Sequence, residues 1–223
     1  MKVRLGLFDL DGTLVDTAPE IADAVNDTLA QCGLPRVRQQ QVNDWIGHGT
    51  RTLLVEALAS AQGRSCEAVR SDPDLPRIAA VFDGHYQQRC GTRSRPFPHV
   101  TAVLELLHAR GVRLAVVTNK ESRYTDTVLR AHGLHTRFDM VVSGDTLPSK
   151  KPDPAGVLHC LTHFGVAPAQ ALFVGDSSID AATARKAGVA VWLLPYGYNM
   201  GQPIAACQPD RVIADVRDIL SRV

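Results

Sequence analysis

Residues 7–16 read Leu7-Phe8-Asp9-Leu10-Asp11-Gly12-Thr13-Leu14-Val15-Asp16. The stretch closes an apolar run (Val3, Leu5, Leu7, Phe8) with two carboxylates two positions apart, followed by a Gly-Thr pair. An apolar run ending in a polar, glycine-containing loop is the pattern of a buried strand. Burying two neighbouring carboxylates without a partner costs several kcal/mol or forces one to stay protonated. No arginine lies within two residues of the pair, so another neutraliser is expected, most simply a divalent cation.

Outward from this strand, short apolar runs recur at Val112–Val117, Asp139–Val142, Ala171–Val174 and Val189–Leu193, with a weaker one at Arg211–Ile213. Helical patterns separate them. Tyr124, Val128 and Leu129 share one face of 121–132. Val157, Leu158 and Leu161 share one face of 154–164, and Ile179, Ala182 and Lys186 share one of 178–187, which Gly188 is placed to stop. Strands alternating with helices predict an α/β fold, a Rossmann-like parallel sheet with helices on both faces.

Between Asp16 and about Arg95 the alternation breaks and only helical spacing recurs: Ile21, Val25 and Leu29; Leu54, Ala57, Leu58 and Ala61; Ile78, Val81, Phe82 and Tyr86. This predicts an all-helical domain over 16–92, inserted into a discontinuous core of 1–15 and 93–223. Asp16–Thr17 and Arg93–His99 would be the hinges.

The bulk properties bound the function. The chain has 223 residues, 45% hydrophobic and 21% charged, with a formal net charge of +1, which is ordinary for a soluble globular protein. No basic block or aromatic-rich stretch points to a nucleic acid, and no apolar run is long enough to span a membrane. The run after Met1-Lys2-Val3-Arg4 is too short and too soon acidic for a secretory signal. Five widely spaced cysteines with no Cys-x-x-Cys read as reduced cytoplasmic thiols used as small core residues. A monomer and a homodimer are both compatible with the chain.

In open parallel sheets ligands bind beyond the carboxyl ends of the strands. Four ends supply polar groups there: Asp9-Leu10-Asp11-Gly12-Thr13; Thr118-Asn119-Lys120; Lys150-Lys151-Pro152 in the loop after the third strand; and Gly175-Asp176-Ser177-Ser178-Ile179-Asp180. In this order the four segments resemble the signature of the haloacid dehalogenase-like hydrolase superfamily: Asp-x-Asp-Gly-Thr, a strand ending in Thr or Ser, Lys-Pro, and Gly-Asp-x-x-x-Asp. The stretches Leu14–Pro19, Trp45–Gly49, Lys151–Pro154 and Tyr196–Asn199 look like those of the bacterial phosphoglycolate phosphatases within it. The helical insertion resembles the family's small cap.

The resemblance implies a Mg²⁺-dependent phosphatase acting on a small phosphate ester, 2-phosphoglycolate foremost. Asp9 would be the nucleophile, forming an aspartyl-phosphate. Asp11 would be the general acid and then the base. The Asp9 side chain, the Asp11 carbonyl and Asp176 would bind the metal. Thr118 and Asn119 would hold phosphoryl oxygens, Lys151 would balance their charge and fix Asp9, and Asp180 would orient Lys151 or a metal-bound water, with Gly12 and Thr13 in support. In the cap, His48 or Arg51 would meet the substrate carboxylate.

Within the superfamily a dehalogenase is disfavoured, because it needs neither Mg²⁺ nor an acid at Asp11. A phosphonatase is disfavoured because it needs a cap lysine, and 16–92 contains none. A β-phosphoglucomutase-like mutase shares the same core residues and is separated by product analysis. A non-catalytic phosphate-binding protein would show no Mg²⁺-dependent turnover.

Overall fold

A computed structural model describes residues 2–223. Six parallel strands form one sheet in the order β5-β4-β1-β6-β7-β8: β1 (Leu5–Phe8), β4 (Arg113–Val117), β5 (Met140–Val142), β6 (Ala171–Gly175), β7 (Ala190–Leu193) and β8 (Arg211–Val212). Side chains alternate between its faces. Leu5, Leu7, Ala115, Val117, Phe173, Val191 and Leu193 pack on one side against α8 (Ala155–Phe164) and α9 (Ser178–Lys186). Phe8, Leu114, Val116, Leu172, Val174 and Trp192 pack on the other, against α6 (Val100–Ala109) and α7 (Ser122–Ala131). The near-continuous apolar runs of β1, β6 and β7, and of β4 after Arg113, are what a sheet buried on both faces requires.

The register places the chemistry. Phe8 is opposite Val116 on one side and Val174 on the other. Asp9 therefore leaves the sheet beside Val117 and Gly175, and Thr118 and Asp176 follow one residue later on the same rim. The chain runs to β4 on one side of β1 and to β6 on the other, the topological position where open α/β sheets bind ligands.

Before α6 the chain forms five helices: α1 (Ala18–Gln31), α2 (Gln39–Trp45), α3 (Thr50–Gln62), α4 (Cys66–Arg70) and α5 (Leu75–Arg89). They pack chiefly on one another, α1 against α5 most extensively. The two crossings into and out of this block, expected as hinges at Asp16–Thr17 and Arg93–His99, run side by side. Residues Val15–Asp16 (β2) and Arg95–Pro96 (β3) pair antiparallel, and the buried Glu20 carboxylate accepts from the Ser94 N–H at 2.9 Å and the Arg93 N–H at 3.3 Å.

All five cysteines are free, with Cys90, Cys160 and Cys207 buried. Among the described residues no helix is long and apolar enough to cross a membrane.

Candidate active site

Asp9 follows the last residue of β1 and is almost entirely buried. Its Oδ1 accepts from the Leu10 N–H at 2.7 Å and pairs with Lys151 Nζ at 2.8 Å. Both bonds fall on Oδ1, so among the described residues Oδ2 is engaged by no protein donor. Burial pushes this carboxyl up to about 6, against the pull of the lysine. Lys151, 4% exposed, is itself clasped between Asp9 and Asp180 Oδ1 at 2.7 Å. Burial disfavours its charge, but the two carboxylates outweigh that and hold the ammonium above its usual range.

Asp180 is engaged through both of its oxygens. While Oδ1 holds Lys151, Oδ2 accepts from the Asp176 N–H and the Ser177 N–H, both at 3.1 Å, and from the Ser177 hydroxyl at 2.7 Å. Ser177 and Asp180 form the capping box of α9, so the negative charge sits where the helix dipole favours it. The arrangement suits Asp180 to orienting Lys151, the first of the two roles expected for it.

Asp176 is fixed from two sides. The Thr13 hydroxyl donates to Oδ1 at 2.6 Å, and the Tyr198 N–H donates to Oδ2 at 2.5 Å. Gly12 has φ 84° and packs so closely that a Cβ there would overlap the Asp176 carboxylate; Gly197 is equally tight. Burial first, then the Asp180 and Asp9 charges, push the Asp176 carboxyl well up. The loop after β7 is a buttress: Tyr196 donates to the Thr13 carbonyl, and the Tyr198 hydroxyl donates to Asp16 while accepting from the Ala18 N–H.

Asp11 corrects one expectation. It has a lysine of its own: Lys120 Nζ lies 2.8 Å from Oδ1 and 3.0 Å from Oδ2, and the Thr17 hydroxyl donates to Oδ1 at 2.6 Å. The carboxylate pair is thus partly neutralised by two lysines rather than by a cation alone. A balance remains, because Asp9, Asp11, Asp176 and Asp180 are four carboxylates against two ammonium groups. One ligand atom each from Asp9, Asp176 and Asp180 falls within 4.8 Å of the others. Two uncompensated negative charges and two carboxyls forced upward describe a place for a divalent cation.

Thr118 and Asn119 are buried at the end of β4. The Asn119 side-chain amide donates to the Gly47 carbonyl, in the loop between α2 and α3, and to the Lys151 carbonyl, both at 2.9 Å. It ties the helical block to the rim. The cleft beneath is walled by Asp9, Asp11, Thr118, Lys120 and Asp176 on the sheet side, and by Ile21, Ile46, Gly49, Thr50 and Leu53 on the helical side. About 30 Å³ of it is open to the centres of water molecules, room for about two.

His48 and Arg51 stand outside that wall, contrary to expectation. Both are exposed. His48 contributes only its carbonyl, to Lys150 Nζ at 2.8 Å, and Arg51 lines a separate cavity with Arg70 and Lys150. The positive φ angles of Gly47 (134°) and Gly49 (90°) bend the loop so that its backbone and Thr50 face the cleft.

These features define a class. Residues 7–194 match the model of the haloacid dehalogenase-like hydrolases, and the chain belongs to that family. Within it, the chain is 36% identical to the phosphoglycolate phosphatase of Thiobacillus denitrificans, over 98% of this chain and 94% of that one. It is 39% identical to that of Haemophilus influenzae, over 96% and 95%. The crystal structure of a "predicted phosphoglycolate phosphatase" from Haemophilus somnus superposes with a TM-score of 0.92 at 37% identity, covering 99% of this chain and 98% of that one.

Proposed function

We propose that this chain is a Mg²⁺-dependent phosphatase that hydrolyses 2-phosphoglycolate to glycolate and phosphate, with helices α1–α5 as its lid. The observation that carries the reading is Asp9: a buried carboxylate with one oxygen pinned by Lys151 and the Leu10 N–H and the other unengaged, beside the second carboxylate of Asp11. The names of the relatives, at this identity and coverage, support the substrate.

The donor set fits Mg²⁺, which is satisfied by few protein oxygens. The Asp9 side chain, the Asp11 carbonyl and Asp176 would hold it, while Asp180 stays with Lys151. Bound there, the ion would neutralise phosphoryl charge.

The steps belong to the side chains. Asp9 Oδ2 attacks phosphorus, the bond from phosphorus to the substrate's bridging oxygen breaks, and its electron pair passes to that oxygen, which takes a proton from Asp11. Water then attacks the aspartyl-phosphate and gives its proton to Asp11. The phosphorus–oxygen bond to Asp9 breaks and returns the electron pair to the carboxylate. Lys151 and Thr118 face the charge that develops on the phosphoryl oxygens. The cleft lies between the rim of the sheet and the helices, so lifting of the lid would admit the ester and its return would exclude bulk water during catalysis.

The test is a panel of small phosphomonoesters, each assayed with Mg²⁺ and with EDTA, with the products identified. The reading requires Mg²⁺-dependent release of free phosphate and the highest kcat/KM on 2-phosphoglycolate. Phosphate retained on a sugar would mean a mutase, and no Mg²⁺-dependent turnover would mean a binding protein.

A further inference from the structure

We propose that Lys120 is a positioning residue for the acid–base step: it clamps the Asp11 carboxyl in the plane from which Oδ2 exchanges a proton with the leaving oxygen and then with water. The proposal rests on the reading of Asp11 as acid and base.

The geometry is that of a clamp. Lys120 Nζ reaches both oxygens of Asp11, at 2.8 and 3.0 Å, and the Thr17 hydroxyl adds a second bond to Oδ1 at 2.6 Å. The last torsion of an aspartate is soft, so one hydrogen bond leaves the carboxyl free to rock, whereas contacts to both oxygens fix its plane. Each carboxylate oxygen accepts about two bonds. Oδ1 is filled by Lys120 and Thr17, and Oδ2 retains a place for one more. That place assigns Oδ2 as the proton-exchanging atom.

Lys120 itself cannot wander. Its side chain is 1% exposed, whereas that of Asp11 is 14% exposed, so of these two cleft-lining groups the lysine is the more enclosed and the carboxyl the more open. The ring of the fully buried Tyr86, from α5, lies 5.2 Å from Nζ. The ammonium thus has one carboxylate in bonding contact and an aromatic face over it. Burial disfavours its charge, but Asp11 and other neighbours keep it protonated. A lysine held this way has no freedom to follow a substrate; its use is to hold its partner. Misplacing a catalytic group by about 1 Å can cost on the order of 100-fold in rate.

The experiment compares leaving groups. Lys120→Met keeps length and burial but removes the clamp. 2-Phosphoglycolate and ethyl phosphate both expel alkoxides that need a proton; p-nitrophenyl phosphate expels a stable phenolate that does not. Lys120→Met is expected to lower kcat/KM, which reports the steps up to departure of the leaving group and not the shared attack of water, roughly 10- to 100-fold on both alkyl esters, and at least about tenfold less on the aryl ester. An equal fall on all three substrates overturns the proposal, since a merely structural lysine would act that way. A fall confined to 2-phosphoglycolate also overturns it, by making Lys120 a contact to the substrate's carboxylate.

Asp11→Asn is assayed alongside. If it too shows no preference between alkyl and aryl esters, the acid–base reading of Asp11 fails with the proposal; if it discriminates and Lys120→Met does not, only the proposal fails. Should Lys120→Met not fold, Lys120→Gln, too short to reach both oxygens of Asp11, must show the same selectivity, and a uniform loss there is equally decisive.

Discussion

Replacing Asp9 with Asn should make the metal-free protein more stable while abolishing turnover. Asn is nearly isosteric with a protonated aspartic acid. The unfolded Asp9 titrates near 3.8 and the folded one at about 6, chiefly because it is buried. Between those values the folded chain keeps a proton that the unfolded chain has released, so this group makes the parent lose stability as pH rises. Asn does not titrate and escapes that loss. The two pKa values give the variant an advantage of about 1 kcal/mol at pH 4.5, rising to about 3 kcal/mol by pH 7.5. For a chain of this size that is a Tm difference of about 6–12 °C at the higher pH. Thermal unfolding in EDTA at pH 4.5, 6.0 and 7.5 measures it. Saturating Mg²⁺ at pH 7.5 should narrow the gap by stabilising the parent. A gap that does not grow with pH, or a parent more stable than the variant at pH 7.5 in EDTA, would refute the argument that burial works against the charge on Asp9.

Lys151→Met should cut kcat/KM on 2-phosphoglycolate roughly 100- to 1,000-fold, because it removes the anchor of Asp9 and, on the proposed mechanism, the buried cation that balances the phosphoryl charge; steady-state phosphate release reads this directly. Gly12→Ala should lose about 1–2 kcal/mol of stability from its φ of 84° alone. It should also weaken Mg²⁺ binding by pushing on Asp176, which calorimetric titration of the ion would register. His48→Ala and Arg51→Ala, changed singly, should each leave kcat/KM within about twofold of the parent, since neither side chain lines the cleft. A loss above tenfold in either would restore a cap cation to the substrate.

Where the sequence was legible, the signal was local. Leu5–Phe8, Arg113–Val117 and Ala171–Gly175 are apolar runs flanked by polar turns, and they emerge as the central strands. Helix α2, by contrast, buries only Val42 in Gln39–Trp45 and offers no period to read. Strands β2 and β3 are two residues each, too short for any alternation. Helix α6 carries a readable period, with Val100, Val103, Leu104 and Leu107 on one face. The harder gap is Lys120. Its bond to Asp11 spans 109 positions, and a lysine after a strand is ordinarily a solvated charge. The demand that both carboxylates be neutralised, applied to every cation on the rim, was the signal that could have found it. His48 and Arg51 are expected from the family likeness of the cap segment they lie in, whereas the loop geometry set by Gly47 and Gly49 decides which groups face the cleft.

The ribbon of β2 and β3 bears on more than connectivity. A block joined to the sheet by two separate strands of backbone could twist, slide and tilt. Here Val15 is zipped to Pro96 and Asp16 to Arg95, and Glu20 grips the backbone of the returning strand. Torsion in one connection is therefore opposed by the other, and the block keeps a single easy axis across the pair. If the block is the lid proposed for it, it would swing like a door on a piano hinge rather than a weight on two strings. Each swing would then have to return Gly49 and Thr50 to the same place over Asp9, and a few backbone hydrogen bonds remote from the cleft would make that closure repeatable.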